Sequence, residues 1–305
     1  MKKVYQLMTL MLFASLFLAC SEDNTLIGDT EDAINASIPE RAISIIESEQ
    51  FNNYSANPIR SATSFIEDGK IMEVLNYDND VLDWRVIYEY NSQGLLKRVS
   101  NFDGNNTPLL SRDFSIVYDE QNRIRNIVYE NRIFEFTYNS IDQTITRRAF
   151  NSSNPNLSTA TYSLNENGQI LRFESSYSNI LYVFEYINGK LMGATRTGGG
   201  FSNLEVDYDY DTSQETKGFN YHKMYKAMYG SPINAVLASE RSIENMISLY
   251  YGEENPSLLA YYIEQPSQEL ITRFEYTRDE QNYVTEFEMI ANGSLYSRIK
   301  ITYED

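Results

Sequence analysis

Apolar and polar residues alternate with a period of two along most of the chain, starting near residue 62. Between residues 84 and 90, for example, Val86 and Tyr88 share one face of a strand, while Arg85 and Glu89 share the other. The same alternation recurs in three later stretches, residues 134–138, 182–186 and 299–303. A strand with one apolar and one polar face is typical of an antiparallel sheet that packs on one side and is solvated on the other.

One phrase recurs among these strands. A strand ends on an aromatic or apolar residue, a turn of Asn, Asp and Gly residues follows, and an Ile, Leu or Val begins the next strand. Asn and Gly tolerate the positive φ angles that tight turns need, and a repeat of about 20–28 residues fits one hairpin. The copies occupy residues 88–96, 117–124, 136–139, 164–170, 184–189 and 274–282. We therefore predict an all-β fold: a long curled antiparallel meander of repeated hairpins, with an open half-barrel as one form of the curl.

The period changes late in the chain. Between residues 218 and 252 the alternation stops, and Tyr221, Tyr225 and Met228 follow the i, i+4, i+7 spacing of a helix. This pattern predicts a helical insertion of two or three short helices that caps the curled sheet. Strands resume near Leu258 and run to the C-terminus.

A second helical pattern precedes the strands. Ser37 and Glu40 have the spacing of a capping box, and the apolar residues that follow them share one helical face. These residues are Ile38, Ala42, Ile45 and Ile46. The sequence therefore predicts a short helix over residues 37–50.

The N-terminus has the pattern of a secretory signal. Lys2 and Lys3 precede an apolar run that ends at Ala19, and such a run is too short for a spanning helix. The residues Leu-Phe-Leu-Ala-Cys at 16–20 resemble a bacterial lipobox. This resemblance implies a signal peptide over residues 1–19 and a lipid attached to Cys20.

The residues that follow the cysteine extend this resemblance. Ser21, Glu22 and Asp23 are similar to the export signal of surface lipoproteins in Bacteroidota-type bacteria. They imply a lipid-anchored protein of the outer membrane that is exposed at the cell surface. Residues 20–36 are polar and acidic, which indicates a flexible tether, and residues 37–305 then form a single domain.

Charge and cysteine content exclude several classes of function. The chain has 25 basic and 43 acidic residues, and its net charge of −18 repels phosphate backbones. We therefore expect no nucleic-acid partner. Cys20 is the only cysteine, so disulfides and thiolate metal sites are excluded from the domain, and we expect no cofactor.

The tyrosine-turn phrase resembles the YD repeats of bacterial wall-associated and toxin proteins. The layout of residues 65–305 resembles more closely a family of Bacteroidota lipoproteins of unknown function, in which β-hairpins, a late helical insertion and a final hairpin follow a tether. That family is described as having a porin-like β fold. The resemblance implies a fold and no site, because no catalytic or binding residues are established for the family.

Two features invite a chemical interpretation. Asp207, Asp209 and Asp211 place three carboxylates on one face of a strand, which suits Ca²⁺ but also suits a solvated face. His222 is the only histidine, so a catalytic triad or a histidine metal site would depend on it alone. We expect neither a metal site nor catalytic residues.

Aromatic residues are the remaining candidates. The chain has 25 Tyr, 15 Phe and one Trp, and most of them occupy the packed phase of strands. Aromatic faces are also common in binding surfaces. The possible ligand-binding residues are Trp84, Tyr221, Tyr225, Tyr229, Tyr250 and Tyr251, most of them beside the predicted insertion.

The function predicted from these observations is a non-enzymatic binding or interaction module at the cell envelope, with a glycan or a protein as ligand. A structural or adhesive surface protein is the alternative. A glycan hydrolase needs only two carboxylates, so composition leaves it open. A pore is disfavoured because membrane-spanning strands need about 9–11 residues of clean alternation.

Overall fold

A computed structural model of the protein describes residues 41–51, 57–176, 179–199, 204–211, 218, 227–238, 258–265, 271–291 and 293–304. The predictions made for the signal peptide, Cys20, Ser21, Glu22, Asp23 and the tether lie outside these residues. So do those made for Tyr221, His222, Tyr225, Tyr250 and Tyr251.

The described residues form 18 strands. They are β1 Ile43–Gln50, β2 Arg60–Glu67, β3 Lys70–Asp78, β4 Val81–Tyr90, β5 Leu96–Asp103, β6 Phe114–Tyr118, β7 Ile124–Tyr129, β8 Arg132–Asn139, β9 Thr144–Phe150, β10 Ser158–Leu164, β11 Ile170–Ser175, β12 Ile180–Ile187, β13 Lys190–Gly198, β14 Leu204–Asp211, β15 Leu258–Gln265, β16 Ile271–Arg278, β17 Val284–Ala291 and β18 Ser294–Tyr303. A single 3₁₀ turn, Leu110–Arg112, and one helix, α1 Pro232–Ala238, complete the described elements.

Each strand pairs antiparallel with the next one along the chain, from β1 to β18. The predicted antiparallel meander is therefore confirmed. In addition, β1 pairs with β18, with Ile46 opposite Ile301 and Glu49 opposite Arg298. Both terminal strands thus have a partner on each side, whereas an open half-barrel would leave them as unpaired edges.

Because the pairings form a ring, the sheet has a buried inner face and a solvated outer face. The hydrophobic core takes side chains from strands around the ring, and its largest fully buried members are Tyr162, Phe134, Ile46, Ile71, Leu96, Ile124, Ile127 and Ile145. The outer face carries cross-strand ion pairs. Arg85 pairs with Glu73, and Arg298 pairs with Glu49 and Glu288. The predicted division into a packed and a wet face is therefore what the structure has.

Four of the six turns of the recurring phrase are five-residue loops of one design. The first residue, Asn or Asp, accepts two backbone N–H groups with its side-chain Oδ1. Asn91, for example, accepts those of Gln93 and Leu95, both at 2.9 Å. The fourth residue has a positive φ, 78° at Gly94 and 58° at Asn122, which Gly and Asn adopt most easily. The other loops of this design are residues 103–107, 119–123, 165–169 and 279–283.

The tyrosine before a turn has a partner in the neighbouring hairpin strand. Tyr90 Oη donates a hydrogen bond to the main-chain oxygen of Ile71 at 2.6 Å, and Tyr118 Oη donates to Leu96 at 3.0 Å. Each acceptor is the main-chain oxygen of a buried residue at the first or second position of its strand. Equivalent bonds join Tyr138 to Ile124, Tyr186 to Ile170 and Tyr303 to Val284. We call these five tyrosines the tyrosine ladder, and the end of the sheet that they occupy the tyrosine end.

The late break in the strand rhythm lies between β14 and β15. Residues 227–229 are helical, and α1 follows at Pro232–Ala238. The predicted helical character therefore holds for these residues, and the other described residues of the predicted insertion are Gly218, Gly230 and Ser231. Residues 235–237 of α1 are buried in the core. No helix in the described part of the chain is long and apolar enough to cross a membrane.

The insertion contacts the tyrosine end at points that are well separated in the ring. Asn234 of α1 accepts the N–H of Ile124, the first residue of β7, at 3.1 Å. Gly218 packs so closely on β18 that a Cβ there would lie 2.6 Å from the Tyr303 hydroxyl oxygen. The described parts of the insertion therefore cover the tyrosine end, as predicted.

The described part of the chain also begins and ends at the tyrosine end. Arg41, just before β1, donates from Nη1 to Asp279 Oδ2 at 3.0 Å and from Nε to the main-chain oxygen of Glu304 at 3.3 Å. Its backbone N–H donates to Tyr283 Oη at 3.2 Å. These bonds tie both termini of the domain to the loop between β16 and β17.

The predicted helix over residues 37–50 is wrong for its described part, because Ile43–Gln50 is strand β1. A bulge between Ile43 and Ile45 shifts the register against β18, so that Ile43 and Ile46 both face the core. Their spacing of three imitates a helical stripe. Pairing with β2 and with β18, the latter at the other end of the sequence, decides the conformation.

Candidate functional site

A cleft lies at the end of the sheet opposite the tyrosine end, across strands β1 to β4. Its lining residues are Gln50, Arg60, Ser61, Asn76, Tyr77, Asp83 and Trp84. They combine an indole, two amides, a guanidinium and a carboxylate. The predicted ligand-binding residue Trp84 therefore lies in a small concave surface that polar and aromatic residues line, which we call the Trp84 cleft.

A register shift between β3 and β4 shapes the wall of this cleft. Asn76 pairs with Trp84, but the next residue, Tyr77, pairs with Leu82, so that Asp83 has no residue opposite it. An extra residue of this kind bends a strand and re-aims its side chains. It places Asp83 and Trp84, which are consecutive in the chain, in the lining of one cleft.

Trp84 is held in place by its neighbours. The indole is half-buried and packs against the core, and the guanidinium carbon of Arg112 lies 5.4 Å from the ring centre. Such a cation–π contact contributes about 0.5–1 kcal/mol at an exposed site. The main-chain oxygen of Trp84 accepts a hydrogen bond from Asn76 Nδ2 at 3.4 Å. The ring is therefore oriented before a ligand arrives.

Gln50 lines the cleft with an amide oxygen that has no hydrogen-bond donor among the described residues. The residue is 9% exposed, and its Oε1 atom is buried without a donor. A buried acceptor of this kind costs about 1–3 kcal/mol when it stays unbonded. Gln50 faces inward because it follows Ile46 and Ser48 at intervals of two on β1. A hydroxyl or N–H group of a ligand in the cleft would supply the missing donor.

The charged residues of the cleft are Arg60 and Asp83. The cleft can therefore donate hydrogen bonds to neutral polar groups and accept them on several sides, with amides on Gln50 and Asn76.

Among the described residues, no three His, Cys, Asp or Glu side chains are grouped so that they could hold a metal ion.

Tyr229 is the other predicted site residue that the structure describes, and it does not join Trp84. It is half-buried and packs against the core, and its main-chain oxygen accepts a bond from Asn234 Nδ2 at 2.8 Å. It belongs to the insertion at the tyrosine end. Trp84 lies six residues before Tyr90 on β4, about 20 Å away at the usual rise of a strand. The structure therefore places these two predicted residues at opposite ends of the sheet.

The acidic cluster of β14 is described only in part. Asp207 is exposed, as expected of a solvated strand face. The side chains of Asp209 and Asp211 lie outside the description.

Comparisons with known proteins bear on the fold alone. No protein-family model and no curated protein matches the chain. Two solved structures that resemble it are both described as porin-like proteins. The one from Bacteroides uniformis has 15% identity and a TM-score of 0.45, and it covers 87% of this chain and 99% of its own. The one from Bacteroides vulgatus has 10% identity and a TM-score of 0.32, with 86% and 98% covered. Both carry the porin-like description that the resemblance noted from the sequence implies.

The sequence pointed to Trp84 but missed Gln50 and Asn76. Gln50 lies in the stretch whose spacing imitates a helix, so the sequence did not indicate that its side chain would face the core of a sheet. Asn76 lies in a clear strand, at an inward position that an apolar residue would normally fill. A polar residue in the packed phase of a strand was the signal that could have found it.

Proposed function

We propose that the protein is a non-enzymatic binding module of the outer membrane and that the Trp84 cleft holds its ligand. The observation that carries this proposal is the Gln50 amide oxygen, which is buried in the wall of a surface cleft without a donor from the described residues. Buried polar groups are nearly always hydrogen-bonded in proteins. A ligand that bonds to Gln50 accounts for the exception, and the indole beside it supplies apolar contact.

A glycan fits the chemistry of this cleft. Sugar hydroxyls both donate and accept, so they can satisfy the amides of Gln50 and Asn76 and the charges of Arg60 and Asp83. The apolar face of a sugar ring can lie on Trp84. A protein ligand is the second possibility, although protein contacts usually need a much larger surface than one cleft.

The location rests on the N-terminal pattern. Cys20 would carry the lipid, and Ser21, Glu22 and Asp23 would direct the protein to the cell surface. A binding module anchored there would meet ligands before they reach the membrane.

The alternatives are weaker on specific grounds. A glycan hydrolase needs two carboxyl groups on either side of the scissile bond, and the lining of the Trp84 cleft contains one, Asp83. A pore would need apolar side chains on the outer face of its strands, where this chain has pairs such as Arg85 with Glu73. A structural or adhesive role has no specific observation in its favour.

Glycan-array screening of the full chain in detergent, followed by calorimetry on the glycans that bind, tests the proposal. Trp84→Ala and Gln50→Ala should each weaken binding about tenfold or more, because each removes a central contact. Trp84→Phe, which keeps an aromatic face, should lose less.

The matched control is Gln93→Ala, which removes an exposed glutamine side chain from a turn at the tyrosine end. It should bind like the unaltered chain. Unchanged affinity in both Trp84→Ala and Gln50→Ala would refute the cleft as the site. Failure of the unaltered chain to bind any glycan, or any protein in a pull-down from envelope extract, would refute the binding function.

A further inference from the structure

Arg147 is a cation on the inner face of the sheet. It lies on β9 between two inward residues, Ile145 and Ala149, which are 1% and 2% exposed. In the neighbouring strands it stands opposite Phe136 of β8 and Ala160 of β10.

The environment of this guanidinium is aromatic. Its central carbon lies 5.3 Å from the centre of the Phe134 ring, and that of Arg132 lies 4.8 Å from the same ring. Two cations therefore share one aromatic ring on the inner face. A ring quadrupole attracts cations but does not replace an anion or a hydrogen-bond acceptor.

The hydrogen-bonding capacity of Arg147 is unused in the described part of the chain. Its Nε is buried without an acceptor, and none of the ion pairs of the described residues involves it. Guanidinium stays protonated in proteins. Arg147 as a whole is half-buried, so its Nε lacks an acceptor while the rest of the group stays accessible to a small anion. The contrast with the outer face is clear, since Arg85 and Arg298 there are paired with glutamates. A chain with 43 acidic residues places none of the described ones against Arg147.

We propose that Arg147 binds the carboxylate group of a small anionic ligand on the inner face of the sheet. The planar guanidinium offers parallel N–H groups that match the two oxygens of a carboxylate. The Phe134 ring lies beside the guanidinium. This site is independent of the Trp84 cleft, because it uses β8, β9 and β10 rather than β1 to β4.

Titration of the full chain in detergent with three small probes tests this site. Glucuronate and acetate should bind, with affinities that fall as salt is added, because the contact is between charges. Glucose, which lacks a carboxylate, should not compete with either probe. If glucuronate binds more tightly than acetate, the natural ligand is a sugar acid. Equal affinities indicate a site for any small carboxylate. Both results support the proposal.

Variants separate the site from general effects. Arg147→Gln should weaken carboxylate binding about tenfold or more, because a hydrogen bond between charged groups is lost. Arg147→Lys keeps the positive charge but lacks the parallel N–H groups of the guanidinium, so it should retain part of the carboxylate binding. Arg125→Gln on β7 is the matched control, because it removes an exposed arginine. Trp84→Ala should leave carboxylate binding unchanged, which keeps this test separate from that of the cleft.

Two results would overturn the proposal. One is the absence of saturable carboxylate binding to the unaltered chain. The other is full binding by Arg147→Gln. If Arg147→Gln fails to fold, Arg147→Lys and the salt dependence of the unaltered chain decide, and salt-independent binding then refutes the assignment.

Discussion

Several polar side chains on the inner face are bonded to the main chain of a neighbouring strand. Ser48 Oγ donates to the main-chain oxygen of Ala62 at 3.4 Å, and Ser297 Oγ donates to that of Glu49 at 3.1 Å. Asn76 does the same to Trp84. Gln50 lies among these residues and differs from them, which makes its unbonded amide a property of that residue and not of the region.

The stability of the free protein and its affinity for ligand should therefore respond in opposite directions at Gln50. Gln50→Met keeps the length of the side chain and removes the unbonded amide, so it should raise the free energy of unfolding by about 1 kcal/mol. It should also abolish the hydrogen bond to ligand. Denaturant unfolding and calorimetry measure the two effects, and Gln93→Met is the exposed control. A loss of stability in Gln50→Met would contradict this account.

The tyrosine ladder predicts a second single-residue effect. Tyr90→Phe leaves the packing of the ring but deprives the buried main-chain oxygen of Ile71 of its donor, so it should lower the free energy of unfolding by about 1–2 kcal/mol. Tyr77→Phe is the matched control, because Tyr77 is a half-exposed tyrosine of the adjacent strand. Chemical denaturation of both variants gives the comparison. Equal stability would show that the hydroxyl bond contributes nothing.

At the scale of elements, the five-residue loops show that Asn and Asp are interchangeable where only an acceptor is needed. Asn91 and Asp119 occupy the same loop position and accept the same pair of backbone N–H groups. Asp119 differs in its charge, and Arg123 lies 2.7 Å from its Oδ2. Burial alone would raise the pKa of Asp119, but the hydrogen bonds donated by Arg123 and Gln121 outweigh it and lower that pKa.

Substitutions at Asp119 should separate the acceptor from the charge. Asp119→Ala removes both and should cost about 1 kcal/mol. Asp119→Asn keeps the acceptor and should cost less than about 0.5 kcal/mol, since exposed ion pairs contribute little. The small difference between the unaltered chain and Asp119→Asn should disappear in acid, because a carboxyl with a lowered pKa loses its contribution as pH falls through that pKa. Thermal unfolding over a range of pH measures it, and equal losses for the two variants would contradict the loop design.

The strands and turns were predictable because their signals are local. Val86 and Tyr88 alternate with polar neighbours, and the turn after Tyr90 carries its own Asn and Gly. Strand β1 was not predictable, because its bulge hides the period of two and its partners lie at residues 60–65 and 297–303. The acceptors of the tyrosine ladder were also invisible, since the main-chain oxygen of Ile71 has no sequence signature. For the site, the indole of Trp84 could be named from its chemistry, whereas the exceptional burial of Gln50 follows from the fold.

At the scale of the whole molecule, the ring of pairings buries tyrosine hydroxyls in a way that links stability to pH. Burial raises the pKa of Tyr88, Tyr118 and Tyr138 well above its ordinary value, and the pKa of Tyr90 is raised by burial and by the neighbouring Tyr88 and Tyr118. The ordinary value, which these residues regain on unfolding, is about 10.

Alkaline pH should therefore unfold the protein. Above about pH 10 the unfolded chain loses protons that the folded chain keeps, so the free energy of unfolding falls as pH rises further. Below that pH the tyrosines are protonated in both states, and their burial contributes fully to the free energy of unfolding. Tm should stay level up to about pH 10 and then drop, and the absorbance of tyrosinate should grow in step with the loss of circular dichroism. Ionisation of most tyrosines at ordinary pKa in a chain that stays folded would contradict this.

The bonds of Arg41 hold the start of the domain at the tyrosine end. If Cys20 carries the proposed lipid, that end would be the one joined to the bilayer, at most about 75 Å away along an extended chain. Strand β1 then runs outward from the membrane and finishes at Gln50. The Trp84 cleft would accordingly open toward the surrounding medium, at the pole of the molecule that incoming ligands meet first.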